Sequence, residues 1–510
     1  MKRGLVWSVV SMIVGAIGSL IVTPVLIHTL GSAEFGLYLL VLAVTSYAGF
    51  LDCGITWAAT RYFAEDIAGG RSQDVSSRFH TLARFFLGVG VLSALLAIVF
   101  GPALVRAAGA AGGGDLVLAF FLAAVSFGFM LQSGLVASLL RAAQRFDHLG
   151  RVSVVTSLLL SVGSYTIARL TPGLLPLLAI NASVSLIGML LGLFVARPQL
   201  SFARDIVRWQ PRYLREMARF GGWSSVSRVV MTIMLQVDRL AVALLGSIAG
   251  VTYYAVPANL ASRMNVLGSP MAGLFFSRAS LLHAKEELSD LRQQHARATR
   301  FLTCFAVCAG LSLAMLGPQF LRVWIGPEMA EQGGNVLISL TLGYAVISVA
   351  SLDAVLLEAC GRPDLTAKAM LAWSVVAVAS VLVLTPSLGF RGIAYSIAGW
   401  LAGLGVTDVV MARRVLSGWA EKAERFPLPE AVLLTAAGIP LSLLLRPIIR
   451  GLPSALASLG GLGAALLILG FFVILTTEDR GLVLGTAQRL LRSPLPRPLA
   501  PEPDREASCK

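Results

Sequence analysis

The sequence predicts an all-α, polytopic integral membrane protein of about fourteen spans. Three observations carry that prediction: a charge-poor apolar composition, repeated apolar runs long enough to cross a bilayer, and basic residues gathered in alternate loops. Of 510 residues, 56% are hydrophobic and only 13% charged, and the mean hydropathy is +0.79. A soluble domain is about half apolar and about a quarter charged, so this chain lacks the charge to solvate a large globular surface. A spanning helix needs roughly 20 mostly apolar residues, and such runs centre near residues 16, 47, 95, 128, 161, 185, 232, 262, 312, 346, 376, 401, 439 and 465.

The first run follows Lys2 and Arg3 and continues to Ile27. A signal h-region is only about 7–15 residues, so this run reads as a first span rather than a signal peptide. The fifth and sixth runs are parted by the Thr171–Gly173 turn, and the eleventh and twelfth by Ser387–Gly392. Lys and Arg collect in Arg61–Arg84, Arg141–Arg151, Arg197–Arg219, Arg278–Arg300, Arg362–Lys368, Arg413–Arg425 and both termini, about 32 of the 41 in all. This positive-inside alternation puts both termini in the cytoplasm. It assigns the net charge of +14 to topology and leaves no reason to expect nucleic acid. The opposite loops are too short to hold a domain.

Residues 197–219 form the longest basic stretch, either an interfacial segment lying on anionic headgroups or a plain topogenic linker. The tail from about Ser493 is proline-rich and charged and reads as disordered. The five cysteines, Cys53, Cys304, Cys308, Cys360 and Cys509, fall in or at the cytoplasmic ends of spans or in the tail, without zinc-ligand spacing or an external disulfide framework. No metal or cofactor is expected.

An internal echo sets the architecture. The run from Gly31 to Tyr38 at the end of the first span is matched by Gly246 to Tyr253 at the end of the seventh, each opening with Leu-Gly-Ser. Six spans separate the copies and both run the same way, which is a parallel repeat about an axis along the membrane normal. The expected organisation is a six-helix lobe over 1–196, a basic segment over 197–219, a second six-helix lobe over 220–415, two further spans over 416–477, and a tail over 478–510.

Ionisable residues inside spans cost about 2.5–3.5 kcal/mol each on insertion scales and mark candidate sites. Arg228 lies roughly 13 Å along the seventh span from Arg219, with Ser224, Ser225, Thr232 and Arg239 on its helical face. The eighth span carries Asn259 and Arg263 at similar depth. Two guanidiniums at one level match a diphosphate, because each presents a fork of donors to phosphate oxygens. The bland alternative is that each Arg pairs with an acid or snorkels to the surface. Asp52 and Asp353 are either ion-coupling carboxylates or halves of helix-locking ion pairs. Glu358 reads as the partner of Arg362, Asp238 as a local partner of Arg239, and the five histidines as solvated or interfacial. Pro24, Pro257 and Pro270 offer kinks. There is no GxxxxGK[ST], HExxH or GxSxG, so neither ATP hydrolysis nor those catalytic chemistries are expected.

The stretch Thr23–Glu65 has Thr-Pro in the first span, Leu-Gly, then an acidic-aromatic-Gly-hydrophobic-Tyr turn, Leu-Asp-x-Gly and Arg-Tyr. It resembles the opening of the polysaccharide transporter and O-antigen flippase family. Leu139–Val155 and Gln236–Leu260 resemble the same family, which belongs to the multidrug, oligosaccharidyl-lipid and polysaccharide exporter superfamily. Cys53 stands where a small apolar residue is commoner. The resemblance implies two six-helix lobes around a central cavity, two extra C-terminal helices, and a transporter rather than an enzyme. The implied activity is to flip a polyprenyl-pyrophosphate-linked oligosaccharide from the cytoplasmic to the outer leaflet of a bacterial inner membrane, for O-antigen, capsule or exopolysaccharide. The expected partners are that lipid-linked glycan, membrane lipids, and the polymerase and other proteins of the assembly pathway. The alternatives are an ion-coupled drug or metabolite antiporter and, with less support from these short outer loops, a membrane glycan polymerase or ligase.

Overall fold

The computed structural model describes residues 2–46, 55–107, 114–200, 209–266, 268–284, 287–415 and 428–481. Among them there is no strand. The helices are α1 (Lys2–Ser46), α2 (Ile55–Ala68), α3 (Ser72–Ala107), α4 (Gly114–Ala142), α5 (Phe146–Leu170) and α6 (Leu174–Ala196), then α7 (Pro211–Leu245), α8 (Ile248–Ala261), α9 (Gly268–Ala284), α10 (Leu288–Trp324) and α11 (Pro327–Ala359), and finally α12 (Pro363–Leu388), α13 (Phe390–Val415), α14 (Leu428–Leu445) and α15 (Leu452–Val473). Ten described helices are long and apolar enough to cross a membrane by themselves.

The helices make fourteen spans once the broken ones are assembled. α1 breaks at Gly31, whose φ of 79° suits glycine, so limb 2–30 is the first span. Limb 32–46 and α2 flank residues 47–54 and account for the second. The eighth is α8 and α9 joined by a 3₁₀ turn over Ser262–Val266. The two Leu-Gly-Ser turns of the sequence echo therefore each open the second span of a lobe. Below, the face carrying the Lys- and Arg-rich loops is called the basic face, and its opposite the far face.

The repeat is visible in which helices pack. In the first lobe α1 packs on α5, α2 on α4, α3 on α4, α4 on α6 and α5 on α6. In the second, α7 packs on α12, α8 and α9 on α11, α10 on α11, α11 on α13 and α12 on α13. α14 and α15 lie against α10, outside this pattern. Gly403 of α13 packs its bare Cα against the Trp373 ring of α12, where a Cβ would collide.

Asp479 fastens the two C-terminal helices to the second lobe. This carboxylate follows α15 and is fully buried. It accepts from Arg297 Nε at 3.1 Å, Arg300 Nε at 2.7 Å and Thr476 Oγ1 at 2.8 Å. Burial pushes the Asp479 carboxyl up, but Arg300 and Thr476 outweigh it and hold it below the usual carboxylate range. A depressed folded pKa contributes stability above the unfolded value and loses it as pH falls through the folded one. Docking of α15 is therefore expected to be flat from about pH 8 to pH 5 and to weaken only below about pH 4. Asp479→Ala is expected to cost about 2–3 kcal/mol, the low side for a broken buried pair because both guanidiniums are partly exposed. Hydrogen exchange of α15 against pH, in protein and variant, reads both effects.

Candidate functional site

The lobes meet near the far face in a seam between α1 and α8, and the motif residues of the sequence build it. Phe35 is buried in the core, and Gly36 presses its bare Cα on the Ile248 carbonyl, where any Cβ would collide. Thr252 Oγ1 donates to Ser32 O at 2.7 Å across the seam. Glu34 Oε1 accepts from Leu174 N at 2.8 Å, capping α6, whose own N-cap, Gly173, has no side chain. Tyr38 accepts at its hydroxyl from Asn181 at 3.3 Å. Pro24 has no N–H, which frees the Leu20 carbonyl four residues earlier. Trp324 Nε1 of α10 fills that vacancy at 2.7 Å, a second bond between the lobes.

The second copy of the turn faces the first. Ser247 caps α8 by accepting from Gly250 N at 3.0 Å, and Tyr253 donates to Glu328 in the first turn of α11. Gly333 lets α11 approach Pro257 and the Tyr253 carbonyl that Pro257 frees. The two echoed turns thus form one closed contact between the lobes.

Below the seam the same face of α8 becomes polar. Asn259 lies seven residues beyond Thr252, within about 20° of it around a helix of roughly 100° per residue, and Arg263 follows four residues later in the 3₁₀ turn. Both are exposed, while Val251–Ala258 are buried. Arg239 Nη2 of α7 donates to Asn259 Oδ1 at 2.9 Å, which joins two of the expected site residues. Arg263 sits in the 3₁₀ break of the eighth span, where interrupted helices place transporter sites. The break is supported from α11, because Ser348 Oγ donates to the Met264 carbonyl at 3.3 Å. Asn265 Oδ1 beside it is buried without a partner. Asp238 is buried and does more than pair locally: it accepts from Tyr254 OH at 2.9 Å and from the Arg239 backbone N–H.

The backbone of Arg228 and Thr232 is helical within α7, but their side chains lie outside the described residues, as does Asp52 entirely. Asp353 is buried in α11 and faces His295 Nε2 of α10 at 3.3 Å. His295 lies two turns into α10, partly buried, with its ring against Phe275. Sequence reasoning also missed Asp408 of α13, which is buried beside Asp353 and Glu358. Its signal in the sequence is an acid inside the apolar run of α13. Among the described residues no group of His, Cys, Asp and Glu could hold a metal ion. A cavity of about 440 Å³ opens within the first lobe between α4, α5 and α6, lined by Ser133, Ser153, Thr156, Asn181 and Ser185 among apolar side chains.

Residues 1–276, more than half the chain, match the family model described as "Polysaccharide biosynthesis protein". The chain belongs to that family. It is 23% identical over 401 residues to a Shigella flexneri protein named as an O-antigen transporter, covering 75% of this chain and 91% of that protein. It is 25% identical over 139 residues to the Bacillus subtilis (strain 168) membrane protein EpsK, covering 27% of each. Among solved structures, the lipid II flippase MurJ in an inward closed conformation matches 96% of this chain and 100% of its own, with TM-score 0.68 and 13% identity. An inward-facing multidrug transporter of the MATE family covers 82% of this chain and 100% of its own, with TM-score 0.62 and 15% identity. These likenesses give the fold of the multidrug, oligosaccharidyl-lipid and polysaccharide exporter superfamily. The family and its relatives place the chain among membrane transporters rather than enzymes.

Proposed function

We propose that the protein flips a polyprenyl-pyrophosphate-linked oligosaccharide from the cytoplasmic to the outer leaflet of a bacterial inner membrane, for surface polysaccharide assembly. In this reading the basic face is cytoplasmic, both termini lie there, and the described conformation is closed outward and open inward. The observation that carries it is the strip Arg239, Asn259 and Arg263, directly below the closed α1–α8 seam. Guanidiniums are suited to a diphosphate, whose oxygens they bind in pairs, and the prenyl tail stays in the bilayer. The name of the Shigella relative and the fold shared with a lipid II flippase support this substrate class. Alternating access would break the seam and close the basic side, driven by an ion gradient with Asp353 or Asp52 as coupling groups. Delivery to a polymerase on the outer side completes the pathway.

The fold is shared with multidrug transporters, so small-molecule antiport is the competing reading, and one experiment separates the two. Charge-assisted hydrogen bonds contribute about 1.5–3 kcal/mol each, so Arg263→Ala and Arg239→Ala should each slow flipping roughly 10- to 150-fold. Mass spectrometry of lipid-linked glycans, with sidedness read by an impermeant label, should find the pyrophosphate-linked unit accumulating toward the cytoplasm in host cells carrying either variant. Unchanged glycan lipids together with altered sensitivity to small toxic compounds would favour the antiporter.

A further inference from the structure

The cavity of the first lobe has the dimensions of one hydrocarbon chain. It runs from Met130 to Leu140 on α4, from Leu149 to Leu160 on α5 and from Asn181 to Gly192 on α6. Each stretch is about 15 Å long at the helical rise, and the hydrocarbon depth of one leaflet is also about 15 Å. A volume of about 440 Å³ over that length makes a slot about 30 Å² across, wide enough for one chain and not for two. The basic-face ends of α4, α5 and α6 come just beyond Leu140, Leu149 and Gly192. The slot therefore lies in the leaflet that meets the basic face.

Its wall is apolar in what it offers, because the polar side chains in it bond to the lobe itself. Ser133 donates to Phe129 O at 2.9 Å and Thr156 to Val152 O at 3.0 Å, each within its own helix. Ser153 shares a hydrogen bond with Ser11 of α1 at 2.6 Å, and Ser185 with Ser126 at 3.0 Å. Asn181 accepts from Ser126 at 2.8 Å and donates to Tyr38 OH at 3.3 Å. Ser157 lies against Gly15 of α1. A polar occupant would lose its own hydration for few bonds in return, whereas a hydrocarbon chain loses nothing. The mouth, by contrast, is cationic. Arg141 follows Gly134 by seven residues and Ala137 by four, so it stands on the cavity face of α4, one turn nearer the basic face. It is half-buried and has no acid partner among the described residues. The neighbouring acid, Asp147, faces His148 Nε2 at 3.5 Å instead. Arg145, four residues before Leu149, donates to that same nitrogen at 2.6 Å. A partly desolvated guanidinium without a carboxylate favours an anion beside it.

We propose that this slot holds one chain of an anionic phospholipid from the leaflet at the basic face, with the lipid phosphate on Arg141 and Arg145 at the mouth. Basic pockets between spanning helices on that side suit anionic headgroups, and a guanidinium fork matches phosphate oxygens. The bound chain completes the packing of α4, α5 and α6, so the stiffness of the first lobe depends on the anionic lipid around it. The slot belongs to the first lobe and the strip of Arg239, Asn259 and Arg263 to the second. The inference therefore does not rest on what the protein transports.

The test is native mass spectrometry of the full-length protein, stripped of annular lipid in detergent and titrated with dioleoyl-phosphatidylglycerol or dioleoyl-phosphatidylcholine. One phosphatidylglycerol per chain is expected to bind ahead of phosphatidylcholine. Arg141→Gln should weaken phosphatidylglycerol roughly fivefold, the effect of one basic residue near an anionic headgroup, and leave phosphatidylcholine unchanged. Arg141→Lys should keep most of the preference. Ser133→Leu puts a side chain into the slot at the loss of one bond within its own helix, and should weaken both lipids. Arg169→Gln, an exposed arginine at the far end of α5, is the control and should change neither. Size exclusion and thermal melting check that each variant folds. Equal binding of the two lipids, or a preference indifferent to Arg141→Gln, overturns the proposal. Displacement of the lipid by inorganic phosphate alone also overturns it, since the mouth would then hold a free anion. Tighter binding of a polyprenyl phosphate than of phosphatidylglycerol would assign the slot to the transported lipid and overturn it as well.

Discussion

Gly36→Val is expected to abolish net transport while leaving the protein folded in the membrane. A Cβ at position 36 would collide with the Ile248 carbonyl and crowd Thr252 Oγ1. The obstacle is backbone, which has no rotamer to escape into. Forcing a side chain into a packed contact costs about 1–3 kcal/mol. That penalty falls only on the conformation in which the seam is shut, so it shifts the population toward an open seam by roughly 5- to 150-fold. Spin labels at Ala33 and Ser247, both exposed at the lips of the seam, should report a longer separation in the variant. Gly88→Val is the control: its Cβ meets nothing, it sits on an exposed part of α3, and it should change neither distance nor transport. An unchanged label distance in Gly36→Val would sink the assignment of this seam as a gate.

The same seam shows why parts of this molecule were readable from residues alone and others were not. Apolar length and loop charge are local properties, so fourteen spans and the parallel repeat could be read directly, down to the turns at Gly31 and Gly246. What the repeat was for could not, because its two copies meet only in space. Glu34 caps a helix 140 residues away, and Trp324 fills a carbonyl 304 residues away. Asn259 and Arg239 were each picked out for polarity inside a span, and their mutual bond follows from the adjacency of α7 and α8. Asp408 gains its setting only in space, where Thr366 of α12 and Asp353 of α11 come near it. The side chains of Arg228 and Thr232, two members of the polar stripe expected on the seventh span, lie outside the described residues.

Arg78→Met is expected to be the most destabilising single change at the basic face, because one side chain ties the seventh span to the first lobe. Arg78 of α3 is 5% exposed and its partner Asp66 of α2 only 2%. Its Nε donates to Asp66 at 2.9 Å and its Nη1 to Glu216 of α7 at 3.1 Å. The guanidinium lies between the rings of Tyr62 and Tyr213, 4.8 and 4.4 Å from their centroids. Tyr213 in turn donates to Asp74 at 3.0 Å, and Gln210 N to Thr81 at 3.3 Å. The opening turns of α7 thus belong mechanically to α2 and α3, while its far half packs on α8, α12 and α13. Rocking one lobe against the other must then bend α7 between these anchorages, in a stretch that contains Gly221 and Gly222. Removing the guanidinium leaves Asp66 buried with only Arg71, which reaches it at 2.9 Å. Breaking one side of a buried pair costs about 3–5 kcal/mol, whereas replacing both partners by apolar residues is often nearly neutral. Arg78→Met should accordingly lower thermal stability sharply, and Arg78→Met combined with Asp66→Leu should recover most of the loss. If the double variant is as unstable as the single one, the cost comes from lost stacking between Tyr62 and Tyr213 and not from the stranded carboxylate. The anchorage of α7 would then be aromatic before it is ionic.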